Sequence, residues 1–250
     1  VSPCSMDFRM AHFEEDWRAV QKRFSNSELV SMLIGPHAIY TCSPENMQRS
    51  IELSEELNTG IHIHHAETKD EENTVRERYG VNPTEYLNNV GILKRPVLAA
   101  HCVYMSDNDI KIFAENNVSV AYNAQSNMKL ASGIAPVAKM IDAGINVTIG
   151  TDGASSNNDL DMWDEMRTAS LLQKVSTLNP CVLPAYQILQ MATVNGAKAI
   201  GKEGELGILA ENALADVILV DFEKPHLYPH TNIISELVYS CHASDVNTVI

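Results

Sequence analysis

Residues 60–68 read Gly-Ile-His-Ile-His-His-Ala-Glu-Thr. The stretch is apolar and β-branched up to its histidines, which predicts a buried strand ending in polar residues. Strand side chains alternate between faces, so His62 and His64 share one face and His65 takes the other. Glu67 stands just past the strand end. An imidazole and a carboxylate delivered together at a strand tip suit metal-assisted hydrolysis: the imidazole binds a cation and the carboxylate moves protons.

Outward from this stretch, strand and helix patterns alternate. Upstream, the sequence predicts a helix over 6–24 and a strand over 30–34, punctuated by Gly35-Pro36-His37. A helix opened by Ser43-Pro44-Glu45 follows and closes near 58–60. Downstream come polar helices over 70–80 and 83–91 and a strand over 95–100 that ends at His101-Cys102. A helix then starts at Ser106-x-x-Asp109, where the spacing resembles a capping box. A strand over 118–122 runs into a polar loop over 123–132. A helix over 135–143 is closed by Gly144, and a strand over 145–149 ends at Gly150-Thr151-Asp152-Gly153. Two long amphipathic helices, 160–175 and 184–200, precede the breakers Gly201, Gly204 and Gly207. Strands are expected again over 216–220 and from 246.

Strict alternation with short loops means parallel strands joined by crossover helices. No Gly-rich phosphate turn follows any strand, which disfavours an open doubly wound sheet. The expected fold is therefore a TIM-type (β/α) barrel over 1–204, with active-site groups at the carboxyl ends of its strands. Residues 205–250 are expected to form part of a small β domain, too short to bury a core alone.

The 250 residues carry a formal charge of −14. Nucleic acids and anionic membranes need basic patches, so neither is expected as a partner. The five cysteines (Cys4, Cys42, Cys102, Cys181 and Cys241) are scattered, with no C-x-x-C pair. That spacing favours reduced thiols in the cytoplasm over disulfides or a thiolate metal site. No apolar run reaches a membrane span, and residues 1–20 do not read as a basic-then-apolar signal segment. Val1 is not a start residue, so a preceding segment is expected. A monomer and a homo-oligomer both stay open.

Four strand ends carry candidate groups: His37, His64 with Glu67, His101 and Asp152. A lone histidine at such a place is more often an ordinary polar residue than a ligand, and Asp152 alone could form an Asx turn. Their coincidence at one end of successive parallel strands makes them a site. His64 and Asp152 suit a divalent ion, His101 a hydrogen bond to its water, and Glu67 acid–base work on a small-molecule substrate. His62 is expected to fill the barrel beneath, His65 to face outward, and His226, His230 and His242 to lie on the surface.

The runs H-I-H-H-A-E-T (62–68), A-H-C-V (100–103), S-N-M-K-L-A-S-G (126–133), G-T-D-G-A-S-S-N-N-D-L-D-M (150–162) and M-A-T-V-N-G-A-K-A-I-G (191–201) resemble the amidohydrolase superfamily. Within it they are most similar to the branch of 5′-methylthioadenosine/S-adenosylhomocysteine deaminases and chlorohydrolases, as are G-P-H-A-I-Y-T (35–41) and L-V-Y-S (237–240). The resemblance implies zinc, or sometimes iron, held by the counterparts of His64 and Asp152 and by a first-strand H-x-H pair. It implies that hydroxide formed at the metal attacks the amino-bearing ring carbon and releases ammonia. Glu67 would protonate the purine ring, His101 would assist the hydroxide, and His37 would contact the nucleoside. Other aminated or halogenated heterocycles (guanine, cytosine, a triazine) and a non-catalytic barrel scaffold remain alternatives. The first-strand pair is absent, so the chain is expected to cover barrel strands four to eight. Asn123-Ala124-Gln125 replaces a usual Asn-Pro, and His65 replaces a usual aliphatic residue.

Overall fold

The alternation yields four parallel strands: β1 (Ile61–His65), β2 (Val97–His101), β3 (Ser119–Tyr122) and β4 (Asn146–Ile149), hydrogen-bonded in that order. The structure is a computed structural model that describes residues 14–250 other than Asp16. The part of the 6–24 helix expected before residue 14 lies outside the described residues; 17–24 is helical. Register sets His64 opposite Ala100 and His65 opposite His101. Tyr122 stands opposite Ile149. All four strands thus end at one rim.

Burial explains why β1 holds its place. Ile61, Ile63 and His65 are buried beneath the helices, while His62 and His64 face the other way and are more open. Ile34, Phe113, Val120, Tyr122, Met140 and Val147 join that core. His65 points away from the rim into this packing rather than into water. Its Nε2 is 3.0 Å from Thr84 Oγ1 and its ring lies 4.9 Å from that of Phe113. Burial pulls its pKa down to about 4, so it is a neutral ring in an aliphatic position.

The crossover helices begin at capping residues, of which the sequence marks Ser43 and Ser106. Ser43 caps Pro44–Glu56 and Thr68 caps Lys69–Tyr79. Asn82 with Glu85 and Ser106 with Asp109 form full capping boxes. Three elements differ from expectation. The 30–34 segment pairs with β1 through a single bridge, Ile34 to Ile61. Gly35-Pro36 then interrupts the ladder, because proline has no N–H to donate. The 123–132 loop contains a helix, Ala124–Lys129. The 184–200 helix is two, Ala185–Ala192 and Val194–Ala199, broken at Thr193 with φ −126° and ψ −92°.

β5 (Ile218–Val220) and β6 (Val246–Val249) form a separate antiparallel pair. Between them lies a further helix, Ile233–Tyr239. Arg167 ties it to the helix Met162–Thr177 by donating to the carbonyls of Tyr239 and Cys241 at 3.0 and 2.7 Å. Gly207 anchors the connection. Its φ is +73°, and a Cβ there would sit 2.6 Å from the carbonyl carbon of Thr193. Among the described residues no helix is long and apolar enough to cross a membrane.

Candidate metal centre

The strand rim brings His64, His101 and Asp152 together, with one ligand-type atom from each lying within 4.8 Å of the others. The backbone is contorted to do this. Ala66 (φ +49°), His101 (+73°), Cys102 (+52°) and Asp152 (+60°) are non-glycine residues in the left-handed region. Such conformations cost about 1–3 kcal/mol each and persist where surrounding structure fixes them, as at functional sites.

His64 is held by the carbonyl of His37, which accepts from its backbone N–H at 3.0 Å and from its Nδ1 at 2.7 Å. A proton on Nδ1 leaves Nε2 with a lone pair, the arrangement typical of metal-binding histidine. The rings of His64 and His101 stack at 5.5 Å. His101 Nε2 lies 3.9 Å from Glu67 Oε2 and 3.9 Å from Asp152 Oδ2. Neither distance is a hydrogen bond.

Asp152 is held by three donors. Its Oδ2 accepts from Ser126 and Ser156 at 2.6 and 2.7 Å, and its Oδ1 from the Gly153 N–H at 2.7 Å. Burial opposes its ionisation, but the hydrogen bonds from Ser126, Ser156 and Gly153 outweigh it and hold its pKa below the usual carboxylate value. The His64 imidazole and the ionised Asp152 carboxylate fit a borderline divalent cation such as zinc.

Glu67 takes 3.3 Å hydrogen-bond contact from Ser132 Oγ. His37 is exposed at the edge, its ring 4.8 Å from that of His64. Its Nδ1 is 2.7 Å from Thr41 Oγ1, whose hydroxyl donates to Ala38; Nε2 is left free to accept. Burial, then His64, pulls the His37 pKa below its ordinary value. His62 shares the face but hydrogen-bonds the Leu98 carbonyl at 2.9 Å, below the rim. A cavity of 410 Å³ is lined by His62, His64, Asn123, Asp152 and Ile200. A larger one, 610 Å³, opens by Ser31, Gly60, Pro96 and Gly201 with only His62 and Arg95 as ionisable lining groups. It offers no converging chemistry, so the smaller cavity is the relevant one.

Sequence reasoning did not assign roles to the side chains that support these groups. Ser126, Asn127 and Ser132 each contact a different site residue: Asp152, His101 and Glu67. Their signal was the polar run 126–133 after a strand. Two buried carboxyls brace the loops. Glu71 accepts the Glu67 N–H at 2.9 Å. Glu165 accepts the Gln125 N–H and, at 2.9 Å, the Asn157 amide.

Burial pushes the Glu165 carboxyl up to about 7, against the hydrogen bonds from Gln125 and Asn157. Glu71 is pushed up to about 7 in the same way, against the N–H groups of Glu67 and Ala66. The folded protein therefore holds a proton at each that the unfolded chain, at the ordinary 4.5, releases. That contribution to stability is full below the unfolded value and is lost as pH rises through the folded one. Relative to Glu165→Gln, wild-type stability should fall by on the order of 3 kcal/mol between about pH 5 and pH 8. Urea unfolding across that range measures the offset; an offset that stays flat contradicts the assignment.

The amidohydrolase family profile matches residues 1–250. A 5-methylthioadenosine/S-adenosylhomocysteine deaminase from Desulforudis audaxviator (strain MP104C) is 52% identical over 221 residues, covering 88% of this chain and 51% of that protein. The chain thus spans about half the length of the curated relatives it matches. Among solved structures, an adenosine deaminase from Xanthomonas campestris with bound zinc superposes with a TM-score of 0.90 at 33% identity, covering 93% of this chain and 53% of that one. A zinc complex of atrazine chlorohydrolase from Arthrobacter aurescens TC1 gives 0.80 at 25% identity, with 86% and 48% covered. Parallel strands ending on a shared rim, a family match along the whole sequence and near neighbours of the TIM-barrel type agree: the chain belongs to the amidohydrolase family.

Proposed function

We propose that the whole protein of which these residues are part is a metal-dependent hydrolytic deaminase of adenosine-type nucleosides, of the 5′-methylthioadenosine and S-adenosylhomocysteine kind. The observation that carries the reading is the placement of His101 Nε2, 3.9 Å from both Glu67 and Asp152 and stacked on His64. Curated relatives about half identical to the chain bear that name. His64 Nε2 and Asp152 would hold the cation; imidazole and carboxylate accept zinc or iron, and the zinc-bound solved relatives favour zinc. A cation bound there lowers the pKa of its water to about 7.

The chain's own residues then divide the proton work. His101 Nε2 accepts a hydrogen bond from the attacking water. Glu67 gives a proton to the ring nitrogen beside the amino-bearing carbon, because an aromatic ring resists the negative charge an adduct would place on it. Ser132 steadies Glu67 for that transfer. The amino group leaves as ammonia with one proton of the water, and the water's other proton restores Glu67 as the carbonyl forms. His37, exposed at the edge with Nε2 free, suits a hydroxyl of the ribose.

Ammonia release by the full-length protein on a panel of adenosine derivatives, guanine and triazines tests the reading. Turnover is expected on the 5′-thio-substituted adenosines first. Preference for guanine or a triazine would move the substrate class while keeping the chemistry. No turnover with metal bound would favour a non-catalytic barrel.

A further inference from the structure

His101 meets Asn127 across two strand–loop units. Asn127 Oδ1 lies 2.8 Å from His101 Nδ1, and the two residues are 0% and 1% exposed. The backbone of Asn127 is fixed, and among the described residues its Nδ2 is buried with no hydrogen-bond partner. Asn127 belongs to the helix Ala124–Lys129, its N–H donates to the Asn123 carbonyl at 3.0 Å, and its own carbonyl accepts from Ser132 at 2.9 Å. Glu165 holds the start of that helix through the Gln125 N–H.

An amide oxygen only accepts, so the ring nitrogen facing it carries the proton. Nε2 then presents a lone pair toward the space bounded by Glu67 and Asp152. Asp152 does not depend on a donor there, since Ser126, Ser156 and Gly153 already donate to its oxygens. A water that must give up a proton needs an acceptor at that point, not a second donor. We infer that Asn127 is a positioning residue: its side-chain oxygen fixes His101 in the Nδ1–H tautomer and so aims a lone pair at the attacking water. This rests on the reading of His101 as that water's partner, and its test separates the two.

The test uses the full-length protein with isotopically labelled histidine, zinc-free and zinc-loaded. The His101 ring carbon signal is assigned from its loss in His101→Gln. The wild type should show the Nδ1–H signature in both states. Asn127→Leu removes the acceptor at similar volume and should lose that signature. Its kcat should fall about 100-fold, with KM within about twofold and zinc content unchanged. Asn127→Asp retains an accepting oxygen and should keep the tautomer and stay within about tenfold of wild-type kcat. An Nε2–H signature in the wild type, as a reversed amide would impose, overturns the inference. So does a tautomer that survives in Asn127→Leu, whatever happens to activity. If the tautomer moves in Asn127→Leu while the wild type releases no ammonia from any substrate, the positioning stands and the deaminase reading falls.

Discussion

Glu67→Gln is expected to lower kcat by about 10²- to 10⁴-fold while the protein keeps its metal. Glutamine preserves the length and shape of the side chain and can still accept from the Ser132 hydroxyl. The backbone bond from the Glu67 N–H to Glu71 is untouched. What disappears is the removable proton, so the loss isolates acid–base work from packing. Steady-state kinetics paired with metal analysis of the same sample give the answer. A parallel loss of zinc would show that Glu67 is a ligand and that its role here is wrong.

Asp152→Asn should reduce metal affinity by more than about 100-fold, and turnover with it. The substitution is unusually clean. Asp152 sits at φ +60°, a conformation that asparagine tolerates well. Backbone strain therefore does not confound the result. The amide removes the negative charge that Ser126, Ser156 and Gly153 converge to stabilise. Zinc competition against a chelator of known affinity measures the change, and His64→Ala should show the same direction. Undiminished affinity in either variant would place the cation elsewhere.

The rim was legible in the sequence because strand periodicity is local. His64, Glu67, His101 and Asp152 each follow a short strand-forming run, and parallel pairing then brings the run ends together. Two helix starts were legible through their serine caps, Ser43 and Ser106, whereas Thr68 and Asn82 were not read as caps. Asn127, Glu71 and Glu165 were not, because their burial comes from packing between distant segments. Glu165 braces Gln125 across a gap in sequence that no periodic pattern spans. The helix Ala124–Lys129 was hidden for a related reason: its residues are polar and its length gives barely one repeat of an amphipathic pattern. His65 was legible as pointing away from the site but not as buried, since only the structure supplies Thr84 and Phe113 as its neighbours.

The short segment that carries Ser126, Asn127 and Ser132 touches Asp152, His101 and Glu67 in turn. A deletion or insertion within it cannot disturb one of these contacts in isolation. Natural variation and laboratory selection for new substrates should therefore leave its length untouched and accumulate on separate walls, such as the 37–41 turn. Chimaeras that exchange it between relatives should either inherit full competence or none.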